Sequence, residues 1–367
     1  MASLISSLRF ALPPNSWISA LPSPSSASPA IPPTYEAYPF SIPDSLYQAL
    51  LDPRVPLTIA AVYAAVVHTF NTRCDGTPYR ISKTRAFKLF VIAHNLFLAV
   101  YSLWTFIGMT MAVHRSIVTT RGVSGVVESL CKIRPETRFG ANLTQLPEDV
   151  MGQGSVGMWE EGLAFYGWLF YLSKFYEVID TAIIIAKGKK SSLLQTYHHA
   201  GAMICMWAGI RFMSPPIWIF CVFNSLIHTL MYTYYTLSTL HIRVPNALKR
   251  SLTSLQITQF IVGGSGAAIH LFIYFTPTTT ASLVSSPSAP SSTDDMMANS
   301  SMSGQHPAET DMVACLSGPG EVWALLATCF YLAPLTYLFV SFFVDSYTHK
   351  GKVRRASRAA ALAQKQR

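Results

Sequence analysis

The chain has 367 residues and a formal net charge of +9; half of its residues are hydrophobic and only 12% are charged. A soluble domain carries about 25% charged residues, so this composition argues against an ordinary soluble enzyme. No basic, aromatic-rich soluble domain is present to support nucleic-acid binding either, and the class left is a membrane protein whose basic excess marks loops facing the cytosol.

In chain order, residues 1–52 come first. Ten prolines fall within the first 53 residues, among many serines. No basic stretch precedes a clean apolar one, so this is a poor signal peptide; it reads as a disordered or loosely packed luminal arm. Seven apolar runs follow, near 53–71, 87–113, 161–186, 193–213, 215–239, 252–275 and 321–344. A bilayer crossing needs about 20 apolar residues, so the fold class is an all-α membrane protein with a seven-helix domain over 53–345. Residues 277–319, rich in Ser, Thr and Pro, read as a disordered luminal loop. Residues 346–367 form a basic tail, attracted to anionic lipid. Lys365 with Gln364 before it gives only part of a two-lysine retrieval signal.

Basic residues set the orientation. With the N-terminus luminal and the C-terminus cytosolic, segments 71–88, 187–192, 240–250 and 345–367 face the cytosol and hold 18 of the 27 Lys and Arg. The other side holds 8, and Lys174 lies inside a span. The two N-glycosylation acceptors, Asn142 and Asn299, then fall in luminal loops. So do Cys131 and Cys315, leaving either a disulfide between two loops in an oxidising lumen or two free thiols.

Polar residues interrupt the spans. The third carries Lys174, Glu177 and Asp180, each costing roughly 2.5–3.5 kcal/mol near a helix centre. At 100° per residue, positions 174, 177, 180 and 181 cover an arc of about 120° and point together into the bundle. The fourth span carries Gln195, His198 and His199. The fifth carries Asn224, His228, Tyr232 and Tyr235; the sixth Thr253, Gln256 and Gln259. Each stripe alone reads as helix glue. Depth separates the readings. At 1.5 Å per residue, Asp180 lies about 10 Å from the cytosolic end, Lys174 about 20 Å, His198 about 12 Å, His228 about 18 Å and the two glutamines about 7–12 Å. Glue has no reason to gather at one depth, whereas a polar cavity open to the cytosol does.

A metal centre, as in a metal-dependent membrane lipid oxygenase, fits poorly. Of ten histidines, this counting puts three in the slab and His94 outside it, and Gln195 offers only an amide oxygen. A neutral imidazole is both an acyl acceptor and a general base. Neighbouring helix residues point about 100° apart, so His198 and His199 do different jobs. Gln195 orients one imidazole, Lys174 stabilises an anion, and Glu177 and Asp180 fix imidazole tautomers. A non-catalytic seven-helix lipid transporter or receptor is the other alternative, and it leaves the company of Lys174 and the two histidine spans unexplained.

KFYEVIDT (174–181), QTYHH (195–199), NSLIHTLMYTYY (224–235) and TSLQITQ (253–259) resemble, in order and spacing, the four signature motifs of the ELO family of very-long-chain fatty acid elongases. HNLFLAVYS (94–102) resembles that family's second-helix motif. The resemblance covers roughly residues 55–350 and implies a 3-ketoacyl-CoA synthase of the endoplasmic reticulum membrane. Such an enzyme condenses acyl-CoA with malonyl-CoA, needs no cofactor beyond its substrates, and works with the reductase and dehydratase of the elongation cycle. The implied fold closes helices 2–7 into a barrel around an acyl tunnel. His198 matches the histidine that takes the acyl group and His228 a second active-site histidine. Lys174, Glu177, Asp180, His199, Asn224, Gln256 and Gln259 match surrounding motif positions. Charge alone points Lys187, Lys189, Lys190 and Arg250 toward the CoA phosphates. The departure is Gln195: most members have histidine there, and members acting on polyunsaturated chains often have glutamine.

Overall fold

The computed structural model describes residues 8–20, 22, 38–119, 122–134, 157–277, 312–348 and 353. Asn142 and Asn299 lie outside the described residues, as does most of the 277–319 loop and of the basic tail.

The arm expected to be disordered holds three elements where it is described: strand β1 (Leu8–Phe10), helix α1 (Asn15–Ser19) and helix α2 (Asp44–Leu50). Its prolines break it into short pieces, and aromatic and backbone contacts hold those pieces down. Tyr38 stacks on Phe165 at 4.6 Å between centroids, and Tyr47, fully buried, stacks on Trp168 at 5.3 Å. The indole N–H of Trp207 donates to the Leu51 carbonyl at 2.8 Å, and the Tyr171 hydroxyl donates to the Leu50 carbonyl at 2.8 Å.

Helix α3 (Arg54–Arg73) follows Pro53, and Thr84 opens α4 (Arg85–Ser116) by accepting the Phe87 N–H at 3.1 Å. A short helix α5 (Gly122–Cys131) comes next. The third apolar run is not one straight helix. It consists of a π-helical segment (Trp159–Gly167), α6 (Trp168–Tyr176) and α7 (Val178–Ala186), with Glu177 at the last junction. Ser192 caps α8 (Leu193–Arg211) by accepting the Gln195 N–H at 3.1 Å. Prolines precede α9 (Ile217–Thr239) and α10 (Asn246–Ile269), where a missing N–H costs nothing. The sixth run was expected to reach residue 275, but the helix stops at Ile269. The β-branched and aromatic residues beyond it form β2 (Ile273–Phe275), which pairs antiparallel with β1 on one side and with β3 (Val313–Ala314) on the other. Helix α11 (Pro319–Tyr347) completes the chain.

By length and composition, α3, α4, α9 and α11 can each cross a membrane, as befits a multi-pass membrane protein. Packing runs from α4 to α9, α9 to α10, α10 to α11, α11 to α8, α8 to α6, and from the π-helical segment back to α4. Helix α3 packs from outside on α8 and α7. Small residues permit the closest approaches. At Gly201 of α8, a Cβ would run into the Tyr331 ring of α11. At Gly188, with φ of +70°, it would fall 2.6 Å from the backbone of Thr77.

The three-stranded sheet covers one end of the bundle. Cys131 and Cys315 are bonded beneath it, packed with Phe275 and Leu8. Lys132 donates to the Cys315 carbonyl at 3.3 Å and to Ser317 Oγ at 2.9 Å, and burial pulls its ammonium pKa down. The bond closes a loop of 184 residues. In the double variant Cys131→Ser/Cys315→Ser, loss of that closure costs about 2–5 kcal/mol. Thermal unfolding in detergent checks this: the variant should melt lower than the wild type and match the reduced wild type.

Candidate active site

The centre is a buried ion pair. Lys174 and Glu177 lie one turn apart at the end of α6, 2% and 1% exposed. Lys174 Nζ donates to Glu177 Oε1 at 2.7 Å and to Asn224 Oδ1 of α9 at 3.0 Å, and stands 4.1 Å from the Phe170 ring centroid. Ser173 Oγ, whose one hydrogen is shared with the Phe170 carbonyl at 2.8 Å, lies 3.2 Å from the same carboxylate oxygen, and His228 Nδ1 lies 3.5 Å from it. Glu177 Oε2 is buried with no protein partner. The ion pair is thus held from both α6 and α9.

The two adjacent histidines diverge. His198 lines a narrow cavity of about 40 Å³ together with Lys174, Asn224, Gln259 and apolar residues of α8, α9 and α11, including Met206, Phe220 and Leu332. That volume holds a few waters. The His198 ring is 6.4 Å from that of His228, and its carbonyl accepts the Tyr331 hydroxyl at 2.9 Å. His199 turns away and is buried; its Nε2 sits 2.8 Å from Gln195 Nε2. Of the two imidazoles, Gln195 therefore holds His199. His199 Nδ1 is buried with no protein partner.

Asp180 belongs to a second cluster. Its Oδ2 accepts the Tyr232 hydroxyl at 2.6 Å, and its Oδ1 lies 2.9 Å from His94 Nε2. His94 therefore lies level with the polar slab and not outside it. Asp180 needs a partner, and α4 brings His94 to it from the neighbouring helix. Depth counting from residue 87 would have found it, since His94 lies about 10 Å in, level with Asp180. Tyr232 is buried against Asp180 and does not line the cavity. Tyr235 is 39% exposed. Gln256 donates to the Met231 sulfur at 3.5 Å and also stays out of the cavity, while Gln259 enters it with its Oε1 unpartnered. Lys187, Lys189, Lys190 and Arg250 are exposed. Lys189 borders a separate cavity with Arg73 and Tyr79, and Arg250 stands over the Phe343 ring. Among the described residues, no group of three or more His, Cys, Asp or Glu side chains is arranged as metal ligands.

Removing Lys174 alone strands the Glu177 carboxylate. Lys174→Met should cost about 3–5 kcal/mol, and the double variant Lys174→Met/Glu177→Gln should cost less than the single. Thermal unfolding of the three proteins in one detergent checks the order.

Comparison with known proteins places these motifs. A stretch of 227 residues is 28% identical to long chain fatty acid elongase 1 of Caenorhabditis elegans, covering 61% of this chain and 68% of the nematode protein. Fatty acid elongase 2 of Trypanosoma brucei brucei is 25% identical over 257 residues, 70% of this chain and 74% of its own length. Very long chain fatty acid elongase 3 of Homo sapiens is 37% identical over 99 residues, 27% of this chain and 37% of its own. The match thus spans about two thirds to three quarters of the first two relatives and just over a third of the human one. No solved structure matches. The family model described as ELO: GNS1/SUR4 family matches residues 48–355, which takes in both histidine helices, the Lys174–Glu177 pair and the His94–Asp180 cluster, and the chain belongs to that family.

Proposed function

We propose that the protein catalyses the condensing step of fatty acid elongation: a long-chain acyl-CoA and malonyl-CoA give a 3-ketoacyl-CoA, carbon dioxide and CoA. The observation that carries this reading is the position of His198, an imidazole without a side-chain partner among the described hydrogen bonds, on a cavity it shares with a fixed ammonium group. Family membership and the names of the relatives support the substrate class.

In the proposed reaction, His198 attacks the acyl thioester carbonyl. The C–S bond breaks, CoA leaves as thiolate and takes up a proton, and an acyl-imidazole remains. Malonyl-CoA then loses carbon dioxide, and the electron pair of the broken C–C bond becomes an enolate. The enolate carbon attacks the acyl-imidazole, the C–N bond breaks, and His198 leaves and regains its proton from water as the 3-keto product forms. Lys174, held by Glu177 and Asn224, supplies a positive charge beside each developing anion. His228, within 3.5 Å of Glu177, is the second imidazole near the reacting groups. The cavity has room for only a few waters, so an acyl chain enters by displacing Phe220, Met206 and Leu332 side chains from their resting rotamers.

The wider reading keeps seven membrane crossings, with the helices from α4 to α11 closing as a barrel and α3 outside. The N-terminus is luminal and the C-terminus cytosolic, in the endoplasmic reticulum membrane. The circular order of packing supports the barrel. Exposed Lys187, Lys189, Lys190 and Arg250 meet CoA phosphates, Gln195 favours unsaturated chains, and a reductase and a dehydratase act on the product.

His198→Ala should abolish incorporation of labelled malonyl-CoA in membranes lacking other elongases, with the protein still inserted. Labelled acyl-CoA offered without malonyl-CoA should leave label on the acid-quenched wild type and none on the variant. Full condensation by His198→Ala would remove His198 as the acyl acceptor.

A further inference from the structure

Helix α3 presents most of its surface outward. Its buried residues, Pro56, Ala60, Tyr63 and Val67, recur at spacings of four, three and four and form one stripe. Three are apolar. The fourth, Tyr63, is 6% exposed and brings a hydroxyl into the packing against α7 and α8. A buried hydroxyl requires a partner, and Tyr63 has one in Thr181 Oγ1, 2.9 Å away on α7.

Thr181 passes this contact on. Gln195 Nε2 lies a long 3.5 Å from Thr181 Oγ1 and 2.8 Å from His199 Nε2. An amide nitrogen carries two hydrogens, so one NH2 group satisfies both acceptors. His199 Nε2 then accepts, and the ring proton sits on Nδ1. With the amide turned over, its oxygen would face the ring, the proton would move to Nε2, and Nδ1 would carry the lone pair. The orientation of Gln195 therefore selects the His199 tautomer. A threonine hydroxyl both donates and accepts, so by itself it accommodates either orientation. It requires a donor from Gln195 only when its own hydrogen is engaged elsewhere, and the Tyr63 oxygen is where that hydrogen can go. The Tyr63 ring also stands edge-on to His199, 6.2 Å between centroids.

We propose that Tyr63 is a positioning residue for the condensing reaction: its phenol oxygen accepts the Thr181 hydrogen, which keeps the Gln195 NH2 toward His199 and fixes the tautomer of the histidine beside His198. This rests on the reading of the protein as a condensing enzyme. It makes α3, the helix outside the packing ring, a contributor to the active site.

Tyr63→Phe tests it, because the ring and its edge contact remain and only the oxygen goes. The assay is malonyl-CoA-dependent elongation by the full-length protein in a bilayer, with initial rates over both substrates. The expected result is a kcat lower by roughly 3- to 10-fold, the effect of one hydrogen bond, with KM for both substrates and the melting temperature unchanged. Thr181→Val should lower kcat comparably, and the double variant should be no worse than the weaker single, since both break one chain. Wild-type kcat in Tyr63→Phe, multiplying losses in the double variant, or a loss seen only in KM or melting temperature would overturn the role of Tyr63 while leaving the reaction standing. Absence of condensation by the wild-type protein would overturn the reaction, and the positioning role with it.

Discussion

The structure around the site depends on keeping Lys174 and Glu177 charged inside a bundle of apolar helices. Each charge is costly away from water, and their mutual attraction offsets that cost only if the remaining hydrogen-bonding capacity is met. Glu177 Oε1 answers with Lys174, Ser173 and His228; Lys174 answers with Glu177 and Asn224. These partners sit on α6 and α9, so the pair fixes how those helices lie against each other. The break between α6 and α7 falls at Glu177 itself. An unbroken helix would satisfy its backbone there as well; the junction lets Glu177 and Asp180 serve different neighbours.

That division has a physical consequence. Asp180 is committed to His94 and Tyr232, with both oxygens engaged. Glu177 keeps one oxygen without a protein partner, as do Gln259 at its amide oxygen and His199 at Nδ1. Fully paired groups rigidify a core, and partly paired ones have capacity left for a ligand. The His94–Asp180–Tyr232 cluster thus has the character of a fastening among α4, α7 and α9. The ring of groups around Lys174 and His198 has the character of a site.

Much of this was legible in sequence, for reasons that also mark the limit. Long apolar runs report helices because length and composition alone decide membrane crossing, so α3, α4, α9 and α11 stood close to their expected positions. The charged residues of the third run pointed inward because lipid leaves them no other place. Sequence did not reveal the breaks in that run, since π-helical turns and junctions carry no composition signal. Proline density describes an unfolded chain well, and a proline-punctuated chain pinned by Tyr38, Tyr47 and the Leu51 carbonyl equally well, so it does not separate the two where the arm is described. Strands of two or three residues are too short to show a period. His94 was lost by treating a histidine without neighbours in sequence as a histidine without neighbours in space. Tyr63 was lost because a tyrosine in an apolar span reads as packing or as an interfacial anchor.

The pair His198–His199 shows what geometry adds to a motif. In sequence, Gln195 is three residues from one and four from the other, and helical spacing permits contact with both. In space it reaches His199 alone, and His198 is left with only its carbonyl tied down, by Tyr331. A histidine at 195 would bring a third ionisable ring beside His199, with its protonation coupled to that of His199. Glutamine exchanges no proton near neutrality, yet has two hydrogens on one atom, enough to reach Thr181 and His199 together. The substitution therefore separates orientation from protonation. In such a site the tautomer of His199 is set by a neutral chain that runs outward to α3, and the charge beside His198 is set by the Lys174–Glu177 pair, with His228 next to it.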